Sequence, residues 1–166
     1  MGEASDAALL AARLVLGGVM VAHGWNHWRG GGGITGTAGW FAGLGLRRPR
    51  LQAWLSVITE VGAGGLLALG LLTPLACAAV LSVMLVAGLL AHRPHGFFVF
   101  KEGYEYVLVL GVLALALGAW GPGEYAVDTA AGIAVTGWAG AGAVLGLGTV
   151  ATVGLLAVFW RPGRTT

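Results

Sequence analysis

The sequence predicts an all-α fold: a transmembrane antiparallel four-helix bundle, an added fifth transmembrane helix, and a short interfacial or re-entrant helix in loop one. Three observations predict it. Charged residues make up 10% of the 166 residues, where soluble domains carry about a quarter. Hydrophobic residues make up 57% of the chain and fall in blocks close to the roughly 20 residues that cross a bilayer. All of the basic residues except Arg13 lie in alternate loops between those blocks or in the C-terminal tail.

The first predicted span is residues 7–28, interrupted by Arg13. Its leading residues include Glu3 and Asp6 and no Lys or Arg, the wrong charge for a cleaved leader, so a retained helix is expected. The second span is residues 54–72, and Thr73-Pro74 turns the chain into a third, residues 74–91. Pro74 stands at a helix start, where its missing N–H is harmless. Residues 104–120 form the fourth and shortest span, closed by Gly121-Pro122-Gly123. The fifth, residues 138–160, has a Trp at each end, as at membrane interfaces. In loop one, a flexible glycine run precedes a stripe of Trp40, Phe41 and Leu44 that is too short to span. The resulting division is a core of residues 1–128 and an additional C-terminal helix with its tail, residues 129–166.

Thirty-one glycines fit this reading, because small residues let helices approach where lipid supplies no hydrophobic drive. Gly140, Gly142 and Gly146 resemble a nucleotide loop only superficially; they lie inside a span with no strand before them. Cys77 is the single cysteine, so no disulfide framework exists within the chain.

Arg29, Arg47, Arg48 and Arg50 occupy the first loop, Arg93 and Lys101 the third, Arg161 and Arg164 the C-terminal tail. An odd number of spans puts all of them on one side, which the positive-inside rule makes cytoplasmic, with the N-terminus outside. Glu3, Asp6, Glu124 and Asp128 then fall outside. Membrane orientation thus accounts for the basic residues, and no nucleic-acid partner is expected.

Charge at a helix centre costs about 2.5–3.5 kcal/mol on insertion scales, so Arg13 and Glu60 need reasons. Counting along the helices places Arg13 about 9 Å and Glu60 about 18 Å below the outer boundary, and an ion pair between them is expected. Its role is either to fix helix register or to take part in a proton or substrate path. A second cluster gathers at the cytoplasmic end: His23, Asn26 and His27, then His92, Arg93 and His95, then Lys101, Glu102, Tyr104, Glu105 and Tyr106. His23 and His27 share a helix face, and Glu105 is expected to exchange protons with His23. A haem or metal on His23, His27, His92 and His95 is the alternative, but no H-x-x-E-H or H-E-x-x-H pattern supports it. No metal is therefore expected.

Arg13 with His23-Gly24, Gly39-Trp40-Phe41, Leu44-Gly45-Leu46, Glu60-Val61-Gly62 with Gly64-Gly65, and Gly70-Leu71-Leu72-Thr73-Pro74 occur in that order. His95-Gly96-Phe97-Phe98, Gly103-Tyr104-Glu105-Tyr106 and Gly121-Pro122-Gly123 through Asp128 follow. Together they resemble the DoxX family of small integral membrane proteins. The family usually has Lys where His27 stands and often Asn where His95 stands, and its core has four helices. The resemblance implies a bacterial plasma membrane protein linked to quinone-dependent redox chemistry or to oxidative and thiol stress. It would be a subunit or accessory protein binding a quinone or another lipophilic ligand, and, if catalytic, a component of a quinone-linked oxidoreductase. In that picture Arg13, Glu60, His23 and Glu105 form the buried polar and proton site, with His27, His92, His95, Tyr104 and Tyr106 around it. Implied partners are the bilayer, other membrane or peripheral redox proteins, and a second copy of the chain. Two other readings are a scaffold that docks redox partners through basic loops and the fifth helix, and a carrier for a small solute.

The threading is testable. Cysteines introduced as Arg48→Cys and Arg161→Cys should both react with a membrane-impermeant maleimide from the cytoplasmic side only. Labelling from opposite faces would contradict it.

Overall fold

The computed structural model describes residues 2–161, so Arg164 lies outside the described residues. Among them the chain is helical, with no strand beyond an isolated bridge between Leu46 and Trp160. Helix α1 (Glu3–Arg29) carries Glu3 and Asp6 in its first turn and His27 and Arg29 in its last, the polarity that complements a helix dipole. Helix α2 (Gly33–Gly43) is the short loop-one helix. Helix α3 (Pro49–Leu69) opens on a proline and ends at Gly70, whose φ of 64° makes a left-handed cap. Helix α4 (Thr73–Ala87) runs on through a π turn, Gly88–His92, and a 3₁₀ turn, Arg93–His95. Helix α5 (Glu105–Trp120), the short α6 (Val127–Ala130) and α7 (Gly137–Phe159) complete the chain. Helices α1, α3, α7 and the continuous Thr73–His95 segment are long and apolar enough to cross a membrane, and α5 is apolar but shorter.

The closest pairing is α1 against α3. A Cβ on Gly17 would stand 2.6 Å from the Gly64 carbonyl oxygen, and one on Gly64 would stand 2.5 Å from that of Gly17. Backbone therefore touches backbone, as small residues permit. Helix α3 also packs on α4, α4 on α5, and α5 touches α1, which closes a ring of four. Helix α7 lies against α4 and α5, and its Val144 is fully buried in the same apolar core as Leu16, Leu67 and Val80. The end of α7 is tied to the turn before α3: Arg47 N–H donates to Phe159 at 2.7 Å and Trp160 Nε1 to Leu44 at 3.1 Å. Arg29, Arg47, Arg48, Arg50, Arg93, Lys101 and Arg161 therefore share one end, the basic end; Asp6, Glu124 and Asp128 share the other, the acidic end.

At the acidic end a polar clasp joins four segments. Helix α4 starts after Leu72, which offers no side-chain cap. Asp128, far along the chain, supplies one, accepting from Leu72 N at 2.7 Å and Thr73 N at 2.8 Å. Its own N–H donates to Gly70 O at 2.9 Å. Arg13 is fully buried beside it, donating to Leu67 O at 3.3 Å and to Tyr125 O. The Asp128 charge acts on it without direct ion-pair contact. The guanidinium passes where a side chain on residue 70 would sit, so Gly70 is required both for its positive φ and for this space. Asp6 accepts from Glu124 N at 3.1 Å and pins the start of α1 to the same loop.

The expected Arg13–Glu60 ion pair does not form. Side chains on a helix tilt toward its N-terminus, and α1 and α3 are antiparallel, so Arg13 leans to the acidic end and Glu60 to the basic end. Each meets nearer partners first.

Asp128→Ala removes a cap worth about 1 kcal/mol and takes a nearby negative charge away from buried Arg13, which keeps its carbonyl partners Leu67 and Tyr125. Thermal unfolding in detergent should show a large drop for Asp128→Ala and almost none for Glu124→Ala, since Glu124 is exposed.

Candidate functional site

At the basic end the bundle holds a cavity of about 510 Å³, within the usual size of small-molecule sites. Helix α1 brings Met20, His23, Asn26 and His27; α3 brings Gln52, Ser56, Thr59 and Glu60. Helix α2 lays Trp40 and Phe41 over it, held down by Thr37, whose hydroxyl donates to His27 O at 2.9 Å. The π turn of α4 adds Leu90, Ala91 and His92, α5 adds Tyr106 and Leu110, and α7 adds Leu155. A π turn widens a helix, and such turns recur at functional sites.

One wall is aromatic. The His27 ring stacks on Trp40 with centroids 5.9 Å apart and planes 19° from parallel, and Phe41 lies 5.2 Å from Trp40. The other wall is polar. Ser56 Oγ donates to Glu60 Oε1 at 2.5 Å, and His27 Nε2 stands 3.6 Å from the same oxygen. Glu60 is 2% exposed and Gln52 3%, yet Glu60 Oε2 and Gln52 Nε2 have no partner. Leaving such atoms unpaired costs about 1–3 kcal/mol each. Arg13 Nε and Thr73 Oγ1 are also unpartnered, but they sit in the packed acidic clasp, away from the cavity's lining.

A neighbouring recess of about 540 Å³ shares Trp40, Leu44, Ala91, His92 and Tyr106 and adds His95 and Glu102. His92 borders both. Its Nδ1 lies 2.7 Å from Glu102 O; a carbonyl only accepts, so Nδ1 carries a hydrogen. His95 Nδ1 faces Glu102 Oε2 at 3.7 Å.

Of the expected site residues, His23, His27, Glu60, His92 and Tyr106 meet around the cavity, and His95 lines the adjoining recess. Arg13 does not; it belongs to the clasp at the opposite end. The expected meeting of His23 with Glu105 does not occur either. Glu105 Oε2 accepts from Val99 N at 3.0 Å and so fastens the 3₁₀ turn Val99–Lys101, while His23 lies against the Tyr106 ring at 6.0 Å. Tyr104 packs edge-on against Phe97 at 5.5 Å, outside the cavity. Among the described residues no three His, Cys, Asp or Glu side chains gather closely enough to hold a metal ion. Sequence reasoning assigned no role to Gln52 or to the Ser56 hydroxyl. The signal for Gln52 was its position one turn into a helix that opens at Pro49.

If Gln52 is kept for a ligand rather than for the fold, Gln52→Leu should leave the ligand-free protein as stable as before or raise its unfolding free energy by about 1 kcal/mol. A clear loss of thermal stability would make Gln52 structural.

Comparison with known proteins fits this arrangement. The family model DoxX matches residues 8–93, the stretch that supplies every polar side chain of the cavity except Tyr106. Comparison with curated proteins and with solved structures gives no match. With just over half of its length matched by that model and several helices apolar enough to span a bilayer, the chain is a membrane protein of the DoxX family.

Proposed function

We propose that the cavity binds the ring of a quinone-like lipophilic molecule, and that the protein is a subunit or accessory protein of a quinone-linked redox or thiol-stress system in the plasma membrane. In this reading the basic end faces the cytoplasm. One observation carries it: a space of about 510 Å³ bounded mainly by apolar and aromatic side chains, with an unpaired donor, Gln52 Nε2, and an unpaired carboxylate oxygen, Glu60 Oε2, on its polar side. Quinone rings demand such a combination, an apolar slot with a few placed polar groups.

When bound, a quinone supplies exchange of two electrons and two protons. The chain's own residues then have distinct tasks. Gln52 Nε2 donates a hydrogen bond to a ring oxygen. Trp40, Phe41 and His27 give the ring a flat surface and keep water away from it. Glu60, braced by Ser56 and facing His27, holds or releases a proton inside the cavity. His92, between cavity and recess, is placed to pass protons toward the basic end.

Protein purified in mild detergent should carry a quinone detectable by mass spectrometry of its lipophilic extract. Added decylubiquinone should quench tryptophan fluorescence saturably, and Gln52→Leu with Glu60→Leu should weaken that binding at least tenfold. Absence of both the co-purified quinone and the saturable titration would end the proposal.

A further inference from the structure

We infer that residues 96–104, between α4 and α5, form a membrane-embedded tip. Phe97, Phe98, Val99 and Phe100 insert at the boundary between headgroups and acyl chains in the leaflet at the basic end, and Arg93 and Lys101 reach the phosphates above them. The partner is the lipid layer, not a soluble protein.

Depth carries the argument. Helix α5 has 16 residues, about 24 Å at the usual rise, against a hydrocarbon core of about 30 Å. Its far end, Trp120, is exposed and leads directly into Gly121-Pro122-Gly123, as at a membrane interface. The shortfall therefore falls at the basic end. Register across the bundle gives the same result twice. The Tyr106 ring lies 6.0 Å from that of His23, and His23 precedes Arg29 by six residues, about 9 Å of helix. A Cβ on Gly88 would stand 3.4 Å from Val107, and Gly88 precedes Arg93 by five residues, about 7 Å. Helix α5 thus begins well below the level of the arginines, and the tip occupies the layer between.

The chemistry of the tip suits that layer. Phe97, Phe98, Val99 and Phe100 are all exposed, Phe100 by 76%, and the rings of Phe98 and Phe100 stack at 5.2 Å. A run of large apolar side chains held in water would be a liability; against acyl chains it is solvated. Backbone groups near hydrocarbon are costly to leave unpaired, and residues 101–105 all donate their N–H groups back into the tip. Lys101 and Gly103 donate to Phe98 O at 3.0 Å, Glu102 to Val99 O at 2.9 Å, Tyr104 to Gly96 O at 3.0 Å and Glu105 to Phe97 O at 2.9 Å. The Val99 N–H has the Glu105 carboxylate. Gly103 lets the segment fold onto itself, since a Cβ there would collide with the backbone of Gly96 and Phe97. Arg93 and Lys101 are exposed on either side, and long cationic side chains carry their charge outward to anionic headgroups. An acidic protein surface would match those two charges but would leave α5 short of the headgroups. The recess beside the cavity is lined by Val99, Glu102 and Gly103, so the embedded tip sets that recess at headgroup depth.

The test places a nitroxide at Phe100→Cys, in a Cys77→Ala background, on the full-length protein in vesicles of phosphatidylcholine and phosphatidylglycerol. Collisions with oxygen and with a water-soluble nickel chelate read its depth, because hydrocarbon excludes polar solutes. The ratio of oxygen to nickel accessibility should exceed that at Arg48→Cys by about threefold or more, and should approach that at Val109→Cys on the exposed face of α5. Phe98→Cys repeats the reading, so the outcome does not hang on one variant folding. Nickel accessibility at either position equal to that at Arg48→Cys would overturn the inference and would leave the tip free for a soluble partner.

Discussion

The backbone contact between Gly17 of α1 and Gly64 of α3 sets the register on which both polar ends depend. Lipid tails are as apolar as leucine, so two helices in a bilayer gain from meeting only through close packing. Here the packing runs along most of both helices: Arg13 reaches Leu67, Gly17 meets Gly64, a Cβ on Gly24 would stand 3.1 Å from that of Glu60, and His27 approaches Glu60. Fixing that register brings Glu60 level with the end of α1 and sets Arg13 beside the turn into α4. Leu67 lies about 10 Å along the axis beyond Glu60, and with the two side chains tilting opposite ways, a single pair of charges becomes two separate polar centres.

Each centre leaves two buried polar atoms without a partner, Arg13 Nε and Thr73 Oγ1 at one end and Gln52 Nε2 and Glu60 Oε2 at the other, but the two centres differ in packing. The acidic clasp uses Asp128 to cap α4, Gly70 to admit the guanidinium, and two carbonyls to receive it. It joins α1, the α3–α4 turn and the loop after α5, and a buried cation so surrounded is expensive to disturb. The basic end has the opposite character. Its carboxylate is only half engaged, its glutamine is unpaired, and a cavity separates them from the aromatic wall.

Much of the architecture was legible in the sequence. The spans, the sorting of Arg29, Arg48, Arg93 and Arg161 to one end, and the short helix around Trp40 follow from composition and from the length of apolar runs. Side-chain pairing was not. Asp128 looked like an external charge, because nothing local shows that Leu72 lacks a cap of its own or that a loop 55 residues on will provide it. Glu105 looked like a partner for His23, but the Val99 amide, in a turn with no periodic pattern, claims it. Gln52 was hidden by the rule used to find spans: hydropathy starts the second span at residue 54, whereas the backbone is helical from Pro49. A polar residue in that margin reads as loop and turns out to be buried.

The orphaned atoms also argue against a purely architectural basis for the cavity. Helices α1 and α3 are held by Gly17, Gly24 and Gly64, and α2 by the Thr37 hydroxyl on His27 O; neither attachment uses Gln52 or the free oxygen of Glu60. Leucine at either place would fill space without a desolvation penalty, and large apolar neighbours such as Met20 and Leu110 already stand close by. A membrane protein gains nothing in solubility from polar atoms hidden inside its bundle, and each one raises the cost of insertion. In the proposed reading, a molecule polar at its edges and apolar across its face enters the space beside the π turn and completes the hydrogen bonds of Gln52 and Glu60.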